Sequence, residues 1–283
     1  MSTLEKALEK SEQIAQTNTE KSVVKNRVKS GLGGTIPSTK RTVNIDWEEL
    51  STQGYLSLEQ GNSGLAEEYR MIKRPLLYNA FGKAAEGIER SNLILVTSSV
   101  PEEGKTFTAI NLAMSIANER DKNVLLIDAD VAKPTLAKRL GVTASPGLIE
   151  YLEDDSLNFS DISLATDVAN LQIIPAGKRH TFSTELLSSN RMVQFVDELS
   201  QCYSDRIVIF DSPPLLAATQ AEVLAGLVGQ IVLVIAAETT MQSTVQEAIK
   251  RLEERDVVLA LLNKAKYGLT MDYYGYGQYG AEH

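Results

Sequence analysis

The densest chemistry in the chain lies in eight residues: Ser99, Val100, Pro101, Glu102, Glu103, Gly104, Lys105 and Thr106. They follow an apolar run, Leu93–Thr97, and precede a helical pattern carrying Ile110, Leu112, Ala113, Ile116 and Ala117. A glycine–lysine–threonine triplet between a strand and a helix suits a phosphate chain. Backbone N–H groups of the loop and the helix N-terminus converge on phosphate oxygens. The Lys105 ammonium can neutralise β- and γ-phosphate charge, and the Thr106 hydroxyl can ligand Mg2+. Ser99 stands where the strict eight-residue pattern has its first glycine. Carboxylates complete such a site. The run Val124–Asp128 ends in Asp128 with Asp130 two positions on, and Ile207–Asp211 ends in Asp211 ahead of Ser212, Pro213 and Pro214. Each acid alone could be a solvated strand end or a helix cap. With Lys105 in the same chain they read as acids that hold Mg2+ or its waters.

The elements that must position these groups alternate from Asn92 onward. Strands are expected at Leu93–Thr97, Asn123–Asp128, Leu171–Pro175, Arg206–Asp211, Gln230–Ala236 and Val257–Asn263. Helical patterns at 104–119, 185–203, 217–227 and 242–255 separate several of them. Continuous apolar runs are what a strand buried on both faces requires, and strand–helix alternation implies a doubly wound, mostly parallel sheet flanked by helices. Ligands of such α/β sheets sit at the carboxyl ends of the strands, where Lys105, Asp128, Asp130 and Asp211 all fall. Four segments result: a flexible basic extension at 1–42, a helical segment at 43–90, the α/β domain at 91–265, and a tail at 266–283.

Between Lys21 and Thr42 there are six Lys/Arg and no acids, with Gly31, Gly33, Gly34 and Pro37 interrupting regular structure. This reads as a tether, or as a docking segment for a partner or an acidic membrane surface. Leu65, Tyr69, Ile72 and Leu76 mark one face of a helix that Pro75 is expected to kink or restart. Five of the ten tyrosines, Tyr267, Tyr273, Tyr274, Tyr276 and Tyr279, fall in the last 17 residues, interleaved with glycines. Such a tail has few aliphatic groups to bury and is costly to order. Its tyrosines read either as hydroxyls presented to a neighbour's active site or as a sticky aromatic surface for self-association.

The totals exclude several classes. Net charge is −9, which argues against bulk nucleic-acid binding. The single cysteine, Cys202, is expected on the buried side of a helix and fits a reducing compartment. No stretch reaches the roughly 18 apolar residues that cross a bilayer, and the N-terminus lacks the pattern of a secretory signal. The expectation is a cytoplasmic protein, recruited to the inner face of the membrane through a partner.

Over residues 64–283 the chain resembles the bacterial tyrosine kinases, which use a deviant P-loop fold similar to that of the Min/Par positioning ATPases. The resemblance rests on Ser99–Thr106, on Ile127–Pro134 and on Ile209–Pro214, with Lys133 where the family usually has arginine. Ile174–Gly177 and Glu185–Ser189 add to it, and the likeness is strongest to autokinases of exosortase-linked exopolysaccharide systems. It implies ATP and Mg2+ as cofactors. Ser99, Pro101, Glu102, Glu103, Gly104, Lys105, Thr106 and Phe107 would surround the nucleotide, with Asn263 as an adenine contact. Thr106, Asp128 and Asp211 are the candidate metal positions, and Asp128 is the nominated base, with Asp130 and Asp211 organising Mg2+ and its waters. The tail tyrosines become the acceptors, modified in a neighbouring copy. Glu67, Arg70 and Lys73 resemble a family helix motif that contacts the next subunit of a ring, although an ion-pair ladder on a solvated face fits them too. Implied partners are further copies of the chain, a membrane-embedded polysaccharide co-polymerase that activates it, and a cognate tyrosine phosphatase. The rival reading is a Min/Par-like switch, yet Val100 occupies the place of that group's signature lysine. A scaffold with structural nucleotide is the third.

Overall fold

The computed structural model describes residues 39, 41–57, 63–202 and 205–266. Most of the expected basic extension and all five tail tyrosines lie outside the described residues, as does the side chain of Cys202.

Chain order is β1 (Thr42–Val43), α1 (Trp47–Thr52), α2 (Gly64–Phe81), a 3-10 turn (Lys83–Gly87), β2 (Leu93–Ser98), α3 (Lys105–Ala117) and β3 (Asn123–Asp128). There follow α4 (Leu136–Leu140), α5 (Leu148–Glu153), α6 (Phe159–Ile162), β4 (Leu164–Thr166), β5 (Leu171–Ile174), α7 (Ser183–Leu187) and α8 (Asn190–Cys202). The chain continues with β6 (Arg206–Asp211), α9 (Thr219–Ala225), β7 (Gln230–Ala236), α10 (Gln242–Lys250) and β8 (Val258–Asn263).

The strands form one eight-stranded sheet in the order β1-β4-β5-β3-β6-β2-β7-β8. Every neighbouring pair is parallel except β4 with β5. Alternate residues of β2 feed the two faces: Ile94 and Val96 join the core beneath α1, α2 and α3, while Leu93 and Leu95 join the core beneath α5, α8 and α9. A parallel strand covered on both sides therefore needs its uninterrupted apolar run.

Register brings the acids together. Asp211 pairs with Asp128 across β6 and β3, and with Val96 across β6 and β2. The loop after β2 thus opens directly above the two strand ends that carry Asp128 and Asp211.

The described residues between 43 and 90 contribute to the same core as the sheet. Ile45, Trp47, Leu50, Tyr55, Leu56, Tyr69 and Leu76 are buried with Ala109, Ile110 and Ala113 of α3. The Leu56 N–H donates to the buried Asn111 carbonyl oxygen at 2.7 Å. Helix α2 starts at Ser63, whose hydroxyl accepts from the Ala66 N–H, and it runs through Pro75 without a break. The expected restart does not occur, because Met71, whose carbonyl Pro75 leaves unpaired, is exposed and water can take that carbonyl.

Candidate active site

The loop between β2 and α3 is held in an unusual backbone shape. Gly104 has φ 100° and Glu102 φ 68°, so two of three consecutive residues lie in the left-handed region. Gly104 is needed twice over: a side chain there would be strained, and its Cβ would overlap the Asn263 amide. This turn delivers the chain into α3, leaving the first helical N–H groups unpaired toward the phosphate side.

Three buried acids and one lysine converge below the loop. The Lys105 ammonium donates to Asp130 Oδ2 at 2.8 Å. Asp130 Oδ1 accepts from the Lys133 N–H, which fixes the turn after β3. Asp128 is fully buried; its Oδ2 accepts from the Leu136 N–H at 3.1 Å and its Oδ1 from the Asp130 N–H at 3.2 Å. The Asp211 carbonyl accepts from the Ala129 N–H, tying the two acid-bearing strand ends together.

Electrostatics follow from burial. Desolvation, reinforced by the neighbouring Asp211 charge, pushes the Asp128 carboxyl well above the usual carboxylate range. Burial pushes Asp211 up to about 6, with Lys105 and the nearby Thr106 hydroxyl holding it from going higher. Burial alone would lower Lys105, but Asp211 and Asp130 together raise it, so its charge is secure.

Asp211 carries the sharpest signal. Both of its carboxylate oxygens are buried without a partner in hydrogen-bonding geometry among the described residues, the Thr106 hydroxyl lying near but outside that geometry. A carboxylate in that state calls for a cation. Thr106, whose hydroxyl is 3.3 Å from that of Thr135, stands on the same side of the site. The donor set is oxygen only, and no group of three or more His, Cys, Asp or Glu among the described residues forms a complete metal cage. That is the pattern for Mg2+, which takes one or two carboxylates and completes its shell with water and phosphate.

The remaining sequence candidates fall as follows. Ser99 is buried and Glu103 is 1% exposed. Phe107 packs against Tyr55 with ring centroids 5.0 Å apart and ring planes tilted by 47°. Asn263 lies beside the loop, and its Nδ2 donates to the Glu103 carbonyl at 2.8 Å. Glu67 and Arg70 pair with each other on the outside of α2. Lys73 departs from the common face expected for it. It is buried, donating to the Ser115 carbonyl at 2.6 Å and pairing with Glu119 at the C-terminus of α3. The basic end of this motif is therefore turned into the protein, where it neutralises a helix end. Missed in the sequence was Thr135: it touches Thr106, and nothing in its spacing marks it.

A glycine-bearing loop opening a helix, its lysine paired to an acid, and an unpartnered buried carboxylate on the adjacent strand end define a P-loop ATPase. The AAA domain family profile matches residues 94–263. The chain belongs to the bacterial tyrosine-protein kinase family of these ATPases. It is 30% identical to the tyrosine-protein kinase YwqD of Bacillus subtilis, over 78% of this chain and 90% of that one. It is 32% identical to the tyrosine-protein kinase ptk of Acinetobacter johnsonii, over 59% of this chain and 22% of that one. The chain spans about a quarter of the length of such longer relatives. Among solved structures, the kinase domain of the Escherichia coli tyrosine kinase ETK superposes with a TM-score of 0.63 at 25% identity, covering 85% of this chain and 95% of that one. No helix among the described residues is long and apolar enough to cross a membrane.

Proposed function

We propose that the chain is an ATP- and Mg2+-dependent protein-tyrosine autokinase that phosphorylates Tyr267, Tyr273, Tyr274, Tyr276 and Tyr279 of a neighbouring copy. The observation that carries the reading is the buried, unpartnered Asp211 carboxylate facing the Lys105–Asp130 pair beneath the loop. Family membership supports tyrosine as acceptor, and the concentration of tyrosines after residue 266 supplies the substrate.

In this mechanism the loop N–H groups and Lys105 bind and orient the phosphate chain, and positioning together with charge stabilisation accounts for most of the catalysis. Mg2+ held by Thr106 and Asp211, with Asp130 on its waters, would neutralise charge on the transferring phosphoryl group. Asp128, at the β3 end beside the phosphate side, is the proposed base that takes the proton of a tyrosine hydroxyl as the oxygen attacks. Each phosphate adds about −1.5 to −2 charges to a tail, so successive transfers repel it from an acid-rich site and loosen the assembly. Exposed Glu67 and half-buried Arg70 are the proposed contact with the next subunit. By family likeness the cycle regulates exopolysaccharide synthesis or export from the cytoplasmic face of the membrane, with a membrane-embedded activator and a tyrosine phosphatase as partners.

Purified protein incubated with Mg2+-ATP and mapped by mass spectrometry tests this. Phosphotyrosine should appear beyond residue 266 in the wild type and disappear in Lys105→Met. ATP hydrolysis with an unmodified tail, even with the activating partner added, would favour a switch ATPase instead.

A further inference from the structure

The phosphate loop is fastened by groups that the reaction scheme does not use. Glu103 points away from the phosphate side into the protein. Its Oε2 accepts from the Val100 N–H at 2.8 Å, and its Oε1 accepts from the Ala236 N–H at 3.2 Å and the Thr240 hydroxyl at 2.5 Å. One carboxylate therefore closes the loop on itself and ties it to the end of β7. From the end of β8, Asn263 Nδ2 donates to the Glu103 carbonyl, and Lys264 Nζ donates to the Glu102 carbonyl at 2.6 Å. The Asn263 amide also fills the space over Gly104 that a Cβ would need. Glu102, Glu238 and Lys264, none of them glycine, all have positive φ, so strained backbone is concentrated on both sides of this junction. Strain of this kind persists only where surrounding contacts over-determine it.

We propose that Glu103, Asn263 and Lys264 form a clamp that sets the phosphate loop in its anion-binding shape, and that Asn263 acts on the phosphates through Glu103 and not on the nucleobase. They are positioning residues. The inference deepens the kinase reading by assigning what holds its nucleotide site, but it rests only on the loop binding phosphate. Donor counting makes Glu103 specific: three donors meet two carboxylate oxygens, whereas glutamine offers one acceptor oxygen and two new donors. Lys264 is exposed and a minor contributor. Asn263 and Glu103 carry the clamp.

The test compares wild type, Asn263→Ala and Glu103→Gln for binding of a fluorescent MgADP analogue, with inorganic pyrophosphate as competitor. Thermal unfolding of each variant is followed in parallel. The loss of one such hydrogen bond corresponds to about a fivefold effect. Asn263→Ala should weaken MgADP and pyrophosphate by that same factor, because both are held by the loop. Glu103→Gln should weaken both further. If Glu103→Gln fails to fold, Asn263→Ala at the sheet edge still decides the matter. Weaker MgADP with unchanged pyrophosphate would mean a base contact and overturn the clamp; so would unchanged affinity for both. Failure of pyrophosphate to compete in the wild type would also overturn it, since the clamp acts only through a phosphate-binding loop. A wild type that binds MgADP yet makes no phosphotyrosine would sink the kinase reading and leave the clamp standing.

Discussion

Replacing Asp211 by asparagine should make the unliganded chain more stable while removing its response to Mg2+. Asp211 is fully buried and neither carboxylate oxygen has a partner in hydrogen-bonding geometry among the described residues. Burial, partly offset by Lys105, lifts its carboxyl from 3.8 to about 6. A difference of about 2 pH units corresponds to about 3 kcal/mol. Between about pH 4 and pH 6 the native state keeps a proton that the unfolded chain has released, so stability falls as pH rises through that window. Below it both states are protonated and the penalty is absent; above it the full penalty remains. Asparagine keeps the shape and sheds the charge at every pH, although its amide has two donors to place. The net gain near pH 7.5 should then be about 2 kcal/mol, or about 4–8 °C in Tm for a domain of this size. Asp128 is itself raised in part by Asp211, so its own penalty shrinks in the variant, in the same direction. The assay is thermal or urea unfolding of both proteins from pH 4.5 to 8, in EDTA and then with MgADP. Wild type should gain about 2.7 kcal/mol at a hundredfold excess of ligand over Kd, and the variant far less. A variant less stable than wild type at pH 7.5 in EDTA would refute the reasoning. So would a difference that widened toward acid.

Two further substitutions probe the supports of the site. Lys73→Met keeps the aliphatic stem but abandons the Ser115 carbonyl and Glu119, and should cost about 1–3 kcal/mol, read as a lower Tm; an unchanged Tm with altered oligomeric mass would instead make Lys73 a subunit contact. Gly104→Ala forces a side chain into a left-handed conformation worth about 1–2 kcal/mol and into the Asn263 amide, so MgADP affinity measured by titration should fall at least about tenfold, and unchanged affinity would show that the loop shape is not what binds phosphate.

Much of the frame was legible from local pattern. Strands β3, β6 and β7 lie at the residues expected, because a strand buried on both faces must be a continuous apolar run that no solvated segment imitates. The short strands β1, at the sheet edge, and β4 beside it, of two and three residues, left no such run and were missed. Helix α2 showed its apolar stripe, but the same periodicity said nothing of Lys73, whose partner Glu119 lies on another helix.

By itself the amino-acid sequence determined that a phosphate loop, two acid-bearing strand ends and a mostly parallel sheet belong together, since each is written in consecutive residues. Only the tertiary structure decided what those residues face. Asp128 and Asp211 became neighbours through the β3–β6 register, and Asp211 was left without a partner in hydrogen-bonding geometry among the described residues. Glu103, which reads locally as one more loop acid, met its partners 133 and 137 positions downstream. Hydrogen bonds and desolvation depend on three-dimensional neighbours, and at these separations no local pattern encodes them.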